Sequence, residues 1–492
     1  MNVLQSIKKG FFSQDDSRRK RIYYQDIALL IMVSVLVIFP ALGQNRHWSS
    51  REIRHAEIIR EMSLSGDYLV PKLLGETYYD KPPVMHAMAA ILTRVIGEPS
   101  MTIARAPSAI AGLLGVLATY GVGLILLDRR TALLGAIALL GMPGYSIMAR
   151  HARPDMILCA LILFSCLCLG LGMREQRNKS RVFYFALAGL LAGFGVVTKG
   201  PYGVIVPILF AIFVPFRRQD LKRPRIGWII FAIGLLTVLA MWAIPAYLRD
   251  NGEYLRGVIF QRDLDVREGG NPERKHFYYA WVGLINAIPL TFFLPLAIAD
   301  LRRRGYSASL AIAGAIFTII SFIPKKRQHY LLPVYPFLAL GVAASIVRHS
   351  GTSKLVRRTA WVLIPLSIIA MPLYYTVVQP IMHPSEDSDM VFSKEVLNAI
   401  EPDAKLYCVK SEEALAWVGR QHERILRLNV DSSAIKILQQ AKSNSYLVTD
   451  EKNLTALLKI TGPLPTELVF HRKVDHDEIM LFRLKKSSFD VP

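Results

Sequence analysis

Cysteine is scarce in this chain: its 492 residues contain only four. Three of them, Cys159, Cys166 and Cys168, lie within one apolar stretch, and the spacing of the four matches no common metal-binding pattern. Neither a disulfide framework nor a cysteine metal site is therefore indicated. Charged residues are also few, at 20%, whereas hydrophobic residues make up 52% and the mean hydropathy is +0.32. These values exclude an ordinary soluble enzyme and a disordered basic protein, and they indicate a membrane protein.

Acidic residues are outnumbered, with 38 Asp and Glu against 59 Lys and Arg, which gives a net charge of +21. The apolar residues gather into blocks long enough to cross a hydrocarbon core of about 30 Å. We predict eleven spans, at 27–42, 103–127, 131–148, 156–173, 182–198, 202–216, 226–247, 278–298, 306–323, 330–348 and 357–378. The N-terminus is too basic and the first block too long for a cleaved signal peptide, so we expect a retained anchor.

The basic connectors predict the orientation. By the positive-inside rule, residues 1–26 are cytoplasmic, and the short acid-poor connectors then fall on the same side. An odd number of spans places the C-terminal region outside. The stretch 84–96 is short and contains His86 and Arg94, so it predicts an interfacial helix lying on the membrane rather than a span.

The predicted organisation has three parts. Residues 27–380 form a polytopic α-helical membrane domain of about eleven helices, with a long external loop at 44–102. Residues 381–492 alternate apolar strands, at 405–409, 446–449, 467–470 and 479–484, with helical stretches, which predicts a small soluble α/β domain. This domain has no Gly-rich nucleotide-binding motif, so we interpret it as a structural or acceptor-facing cap. Membrane lipids are expected partners, and nucleic acid is not.

Positive charge also occurs where the insertion rule disfavours it. Five connectors on the predicted external side are basic: the loop 44–102, the turns at 149–155 and 199–202, and the loops 249–277 and 324–330. Phosphate esters attract such residues, because Arg donates two parallel hydrogen bonds and Lys supplies a point charge. Anionic lipid headgroups remain the alternative for any single residue. The set together favours a lipid-linked phosphate or pyrophosphate held at the interface.

Among the acidic residues near these charges, the candidates for chemistry are Glu52, Asp80 and Asp155. Transfer at a phosphate-linked carbon requires a general base for the attacking hydroxyl and cations for the leaving phosphate. Both kinds of side chain are present. A salt bridge to a neighbouring Arg remains an equally good explanation for each acid taken alone.

Six motifs resemble one known family. They are RHAEIIREM at 54–62, SGDYLVP at 65–71, YDKPP at 79–83, RPDM at 153–156, TKGP at 198–201 and HYLLPVYP at 329–336. Their order and the hydropathy profile resemble those of the PMT-type GT-C glycosyltransferases, in particular the bacterial enzymes that transfer aminoarabinose to lipid A.

The resemblance implies a GT-C fold and transfer of a sugar from a polyprenyl-phosphate donor, such as undecaprenyl phosphate, with inversion and without a nucleotide sugar. It implies that Lys81 engages the donor phosphate, that Arg54 is an active-site Arg, and that Asp155 is the second-loop acid. Asp80 occupies the position of a family acid that can contribute to a metal site. We expect no required cofactor, although a divalent metal at Asp80 stays open.

The expected site residues follow from these motifs. Glu52 and Asp155 are the expected catalytic residues. The expected substrate-binding residues are Arg51, Arg54, His55, Tyr79, Asp80, Lys81, Arg153, Lys199, Lys325, Lys326, Arg327, His329 and Tyr330.

One position departs from the family pattern. Family members usually have Asp-Glu where this chain has Arg51-Glu52, and that Asp is the proposed base. A guanidinium cannot accept a proton at neutral pH. Glu52 or Asp155 then takes the role, or the acceptor is already ionised, or transfer activity is lost; a phosphate acceptor bound by Arg51 would need no strong base.

Three functions remain in competition. The first is a glycosyltransferase of the inner membrane that modifies lipid A, another envelope glycan or a protein outside the membrane. The second is an inactive relative that binds polyprenyl phosphate, which Arg51 alone favours. The third is a transporter of lipid-linked saccharides, against which stands the lack of internal repeats. The sequence identifies neither the sugar nor the acceptor.

Overall fold

The structure is a computed structural model of the whole chain. It describes residues 17–43, 50–217, 224–261, 277–301, 307–323, 326–382, 389–420, 422–439, 441, 444–474 and 477–485.

Helices dominate these residues. In chain order they are α1 Ser17–Ile38, α2 Ser50–Ser65, α3 Val84–Ile96, α4 Met101–Leu126, α5 Arg129–Leu140, α6 Pro143–Ala149, α7 Pro154–Arg174, α8 Asn178–Lys199, α9 Tyr202–Arg217, α10 Arg225–Asp250, α11 Glu253–Arg256, α12 Tyr278–Asn286, α13 Leu294–Ala299, α14 Ser307–Ser321, α15 Val334–Ser350, α16 Lys354–Leu373, α17 Gln379–Met382, α18 Asp389–Ala399, α19 Glu412–Gly419, α20 Ser433–Gln439 and α21 Glu451–Thr461.

The chain divides into two compact units. The first contains Met1–Leu42, Tyr79–Ala89 and Arg105–Thr376, and the second contains Gly43–Tyr78, Ala90–Ala104 and Val377–Pro492. This division differs from the predicted one, which kept the whole loop 44–102 with the membrane helices. The physical reason lies within the second unit, where α2 packs on α19 of the C-terminal region.

Among the residues that the structure describes, six helices are long and apolar enough to cross a membrane, and the number rises to eight if each of two bent pairs is one span. The bent pairs are α5 with α6, at 66°, and residues 278–286 with 290–299, at 108°. The remaining predicted spans coincide with α9, α14 and α15, which have 16, 15 and 17 residues. These are shorter than the roughly 20 residues that a full span needs. The count of eleven spans therefore stays a prediction.

Apolar side chains cover the outside of these helices. On α10, Ile226, Ile229, Ile233 and Leu236 are each 58% exposed or more. Their spacing of three and four residues puts them on one helix face. Such a continuous exposed apolar face fits contact with lipid rather than water. Together with the number of apolar helices, this makes the chain a multi-pass membrane protein.

Helices α7, α8, α9 and α10 pack closely around glycines. At Gly203 in α9, an added Cβ would lie 2.4 Å from the backbone carbon of Gly195 in α8 and 2.4 Å from the backbone nitrogen of Val196. No larger residue fits between two backbones at this separation. The pair of glycines therefore sets how close α8 and α9 come, just beside the turn that contains Lys199.

We predict that Gly203→Ala destabilises the protein by about 1–3 kcal/mol, because the added methyl group forces α8 and α9 apart. Thermal unfolding of the purified protein in detergent measures the change. Gly314→Ala is the matched control, since a Cβ there would meet no atom within 4 Å. Equal melting temperatures for the two variants would contradict this account of the helix pair.

Two buried arginines hold the C-terminal end of α1. The two terminal nitrogens of Arg150 donate hydrogen bonds to the carbonyls of Ile38 and Pro40, each at 2.5 Å. Arg105 donates to the carbonyl of Leu42 at 2.8 Å. The carbonyl of Ile38, the last residue of α1, has no partner within the helix, so Arg150 satisfies it inside the protein. The carbonyls of Pro40 and Leu42 belong to the turn that follows α1. Arg150, one of the basic residues of the turn 149–155, is thus committed to the fold.

A five-stranded sheet forms the core of the second unit. Its strand order is β4-β3-β5-β7-β6, where β3 is Lys405–Cys408, β4 Ile425–Arg427, β5 Ser445–Asp450, β6 Thr466–Val474 and β7 Asp477–Leu484. Strand β3 pairs in parallel with β4 and with β5, whereas β7 pairs antiparallel with β5 and with β6. Alternating residues such as Leu406 and Tyr407 enter two separate apolar clusters, one on each face. The four predicted strands coincide with β3, β5, β6 and β7, and the short hairpin β1–β2, Lys72–Leu73 and Glu76–Thr77, follows α2 in sequence.

Candidate active site

The ends of two neighbouring helices bring together the central charges of the first unit. Asp155 lies in the first turn of α7, after Pro154, and Lys199 is the last residue of α8. These positions suit the charges, because a helix N-terminus favours an anion and a C-terminus favours a cation. The ammonium group of Lys199 donates to the carboxylate of Asp155, and each side chain is 7% exposed. Gly200 ends α8 with φ of 96°, a conformation that favours glycine, and lets the chain turn directly into α9.

His329 lies beside this ion pair. Its Nδ1 is 3.4 Å from the NH1 of Arg153, and its Nε2 is 4.0 Å from Oδ1 of Asp155. Because a guanidinium only donates, Nδ1 accepts and the ring proton belongs on Nε2, facing Asp155. Burial lowers the pKa of His329 to about 3; Asp155 opposes this, and Lys199 and Arg153 add to it. His329 is therefore neutral at physiological pH and acts as a hydrogen-bonding group rather than a cation.

These residues form the polar end of a cavity of about 620 Å³, which we call the Lys199 cavity. Asp155, Lys199, His329 and Tyr330 line this end, with the ammonium of Lys199 5.0 Å from the centroid of the Tyr330 ring. The remaining walls are largely apolar or aromatic: Pro82, Leu158, Val196, Gly200, Pro201, Tyr202, Trp242, Val258, Ile259, Ile319, Phe322, Ile323, Leu332 and Pro333. The cavity is thus suited to a ligand with one anionic or polar end and an apolar remainder.

The motif at 79–83 lies next to this cavity. Pro82 lines it, and the preceding Lys81 has a side chain only 16% exposed whose ammonium contacts the carboxylate of Asp80. The ring of Tyr79 packs near Tyr254, with the ring centroids 6.3 Å apart. A second lysine, Lys81, is therefore the residue next to Pro82 in a wall of the Lys199 cavity.

The late basic loop is used differently from the prediction. Lys326 is buried and donates to the carbonyls of Ser321 and Ile323, at 2.8 and 3.1 Å, which caps the C-terminal end of α14. Arg327 is half-buried, and its backbone N–H donates to the hydroxyl of Tyr279 at 3.0 Å. Neither side chain lines the Lys199 cavity, and Lys325 lies outside the described residues. Of the described residues of this loop, His329 and Tyr330 line the cavity.

The α2 candidates all belong to the second unit. Arg51 is exposed, whereas Glu52 is 2% and His55 7% exposed. Arg54 donates from Nε to Oε1 of Glu413, the second residue of α19, at 2.7 Å. An ion pair with Glu413 therefore holds the side chain of Arg54. No feature of the sequence predicted Glu413 as its partner.

The acidic pair next to Arg54 predicts a pH-dependent stability. Burial, reinforced by adjacent Glu413, raises the pKa of Glu412 from 4.5 to about 7. Because the folded state favours the protonated acid, stability falls as the pH rises from about 4.5, the pKa in the unfolded chain, to about 7, the pKa in the folded protein, by up to roughly 3 kcal/mol. We expect the melting temperature to drop between about pH 4.5 and pH 7, and Glu412→Gln to remove most of this drop.

The control for this prediction is Glu467→Gln, since the Glu467 side chain is 58% exposed and pairs with Lys485 at the surface. It should leave the pH dependence of the melting temperature as in the wild-type protein. A pH dependence of equal size in wild type and Glu412→Gln would contradict the assignment to Glu412.

Within the described part of the chain, no group of three or more His, Cys, Asp or Glu side chains is arranged to hold a metal ion. Asp80, the predicted possible ligand, has a carboxylate that is 45% exposed and contacts Lys81. Asp80 therefore belongs to no such group within the described residues.

The sequence located most of the polar end of the cavity but missed its walls. Asp155, Lys199, His329 and Tyr330 were predicted and meet, although they lie far apart in the chain. Tyr202 and Trp242 also line the cavity and were not predicted as site residues. An aromatic residue directly after the Lys-Gly-Pro turn was a usable signal for Tyr202, whereas Trp242 is one apolar residue among many in α10.

Comparisons with known proteins show what this chain is similar to. A family model described as dolichyl-phosphate-mannose-protein mannosyltransferase matches residues 80–243. The undecaprenyl phosphate-alpha-4-amino-4-deoxy-L-arabinose arabinosyl transferase of Aeromonas salmonicida is 27% identical over 359 residues, which cover 70% of this chain. The aligned part spans 65% of that relative, slightly less than two thirds of its length.

Solved structures show the same architecture. The crystal structure of ArnT from Cupriavidus metallidurans bound to undecaprenyl phosphate has a TM-score of 0.71 at 17% identity, covering 95% of this chain and 99% of that chain. The archaeal oligosaccharyltransferase AglB from Archaeoglobus fulgidus has a TM-score of 0.54 at 14% identity, covering 97% of this chain and 75% of that chain. The chain is therefore a multi-pass membrane protein of the GT-C fold, and its predicted resemblance to the PMT-type GT-C glycosyltransferases is confirmed.

Proposed function

We propose that this chain is an integral membrane glycosyltransferase that moves a sugar from a polyprenyl-phosphate donor to an acceptor outside the inner membrane. The observation that carries this proposal is the Lys199 cavity, whose walls are largely apolar and whose one polar end holds Lys199, Asp155 and His329. A polyprenyl-phosphate sugar has the same division into an apolar chain and an anionic head. The volume of about 620 Å³ suits a small-molecule site.

The similar proteins support the donor class. One relative is an undecaprenyl phosphate-aminoarabinose transferase, and one similar structure contains undecaprenyl phosphate. We therefore propose a sugar carried by a polyprenyl phosphate, and lipid A, another envelope glycan or a protein as the acceptor. The identity of the sugar, pentose or hexose, is left to the experiment below.

The proposed reaction is one displacement with inversion. An acceptor oxygen attacks the anomeric carbon on the face opposite the phosphate, and the bond between that carbon and the phosphate oxygen breaks. Polyprenyl phosphate leaves with the electron pair of the broken bond. Lys81 and Lys199 are the proposed cations that stabilise the phosphate charge as it develops.

We propose that the acceptor oxygen is already ionised, as in a lipid A phosphate, so that no proton has to be removed. Two observations favour this form of the reaction. Asp155 is held by Lys199 in an ion pair, which makes its carboxylate a weak base, and the exposed Arg51 suits a phosphate by charge and geometry. Glu52 remains the candidate base if the acceptor proves to be a hydroxyl.

The deciding experiment uses purified protein in detergent with a labelled polyprenyl-phosphate sugar and lipid A. We expect transfer by the wild type, loss of transfer with Lys81→Ala, and unchanged transfer with Glu52→Gln for a phosphate acceptor. Lipid A from which the phosphates have been removed should not be modified. Nuclear magnetic resonance of the product measures the anomeric configuration.

Two results would redirect the proposal. Donor binding without transfer by the wild type, with every acceptor tried, would identify an inactive relative that binds polyprenyl phosphate. Movement of a labelled lipid-linked sugar, without chemical change, across the membrane of reconstituted vesicles would favour a transporter.

The proposed topology and cofactor requirement have their own tests. The N-terminus is proposed to be cytoplasmic, with the site and the C-terminal unit outside the inner membrane. A reporter fused after residue 380 that is active only in the cytoplasm would overturn this orientation. No cofactor is proposed as necessary, and a loss of transfer in a metal chelator that added divalent metal restores would assign a metal role, with Asp80→Asn as the variant to compare.

A further inference from the structure

The segment 253–261 contains a contact that no motif predicted. The ring of Tyr79 lies directly against the backbone of Gly257. A Cβ at Gly257 would be 2.1 Å from Cδ1, 2.7 Å from Cε1 and 2.8 Å from Cγ of that ring. All three separations are shorter than real Cβ contacts, so no residue with a side chain fits here while Tyr79 keeps its position.

Tyr79 cannot easily move aside. Its hydroxyl donates to Oε1 of Glu253 at a rather long 3.4 Å, and its ring lies tilted against that of Tyr254, which is fully buried. The three atoms that face Gly257 include Cγ, near the base of the ring, so a small rotation of the ring does not relieve the clash. The backbone of residues 79–82 would have to shift instead.

The same two segments border the Lys199 cavity. Val258 and Ile259, directly after Gly257, line the cavity, and so does Pro82, directly after Lys81. Gly257 ends α11 and begins a π-helical turn, Gly257–Gln261, that carries these two side chains. The distance between the two segments at Gly257 therefore determines where Lys81 stands relative to the cavity.

We propose that Gly257 is a positioning residue: its lack of a side chain lets Tyr79 pack on the backbone and so holds Lys81 in place for the donor phosphate. This inference rests on the proposed function, since it assigns Lys81 a phosphate to bind. Gly257 itself touches neither donor nor acceptor. It acts through Tyr79 and the turn that follows it.

The test compares Gly257→Ala with Gly314→Ala, a second glycine-to-alanine change where the added methyl group meets no atom within 4 Å. We expect Gly257→Ala to raise the KM for the polyprenyl-phosphate sugar by about tenfold with little change in kcat, because a misplaced lysine weakens donor binding. Gly314→Ala should leave both constants unchanged. A merely structural defect would reduce the amount of active protein, and thus the apparent kcat, while leaving KM as it is.

A double-mutant cycle with Lys81→Ala completes the test. If Gly257 acts through Lys81, the double variant binds the labelled donor no more weakly than Lys81→Ala alone. Additive losses, or a Gly257→Ala variant that binds donor as the wild type does while Lys81→Ala does not, would overturn the positioning role. Failure of the wild type to bind or transfer would instead overturn the proposed function, so the two failures are distinguishable.

Discussion

Replacing Lys199 by methionine is expected to lower sugar transfer by about two to three orders of magnitude, the effect of removing one preorganised charge from an active site. Lys199 is 6% exposed and bonded to Asp155 at the polar end of the cavity. Its loss removes one of the two cations proposed to stabilise the phosphate and leaves Asp155 buried without its ammonium partner. Transfer assays with a saturating labelled donor measure the change.

Stability and activity can be separated at this pair. Breaking a buried ion pair costs about 3–5 kcal/mol, whereas replacing both partners by neutral groups is often close to neutral. We therefore expect Lys199→Met and Asp155→Asn each to lower the melting temperature, and the double variant to recover most of it without recovering transfer. The exposed Lys354 provides the control, since Lys354→Met removes the same charge from the surface. Recovery of transfer in the double variant would show that the pair is structural only.

Arg150→Met is expected to destabilise the protein by about 3–5 kcal/mol, without a specific effect on donor binding in the fraction that folds. The guanidinium is 2% exposed, donates to two carbonyls at the end of α1, and lies 4.0 Å from the centroid of the Tyr375 ring. Methionine fills part of the space but leaves both carbonyls without a donor. Thermal unfolding and the yield of protein extracted from membranes measure the loss.

Arg358→Met is the matched control for Arg150, because Arg358 is exposed. It should melt as the wild type does. An Arg150→Met variant of normal stability that no longer binds donor would contradict the structural role of Arg150 and show that it binds the donor.

Local sequence patterns carried much of the fold. Apolar blocks predicted the helices because a membrane span needs a long run of apolar residues, which is visible without knowing its neighbours. Short apolar segments that alternate with helical stretches in residues 381–492 predicted four of the five strands of the sheet. The strand β4, Ile425–Arg427, was missed because it has only three residues.

The partners of the arginines could not be predicted from such local patterns. Arg150 and Arg153 lie in one short basic turn, and only Arg153, in the motif at 153–156, was a predicted site residue. The structure commits Arg150 to the carbonyls of α1 and brings Arg153 to His329. Arg54 likewise matches a family motif, yet its nearest carboxylate is Glu413, 359 residues further along the chain.

The sequence by itself determined the membrane class, the helical blocks and the motifs that carry the resemblance, because each depends on residues close together in the chain. Only the tertiary structure decided which charge meets which. Asp155 and Lys199 pair because α7 and α8 pack together and place the start of one helix beside the end of the other. The walls of the cavity are likewise set by helix packing. Beside the wall residues Val258 and Ile259, they also depend on Gly257, whose lack of a side chain leaves space for the ring of Tyr79.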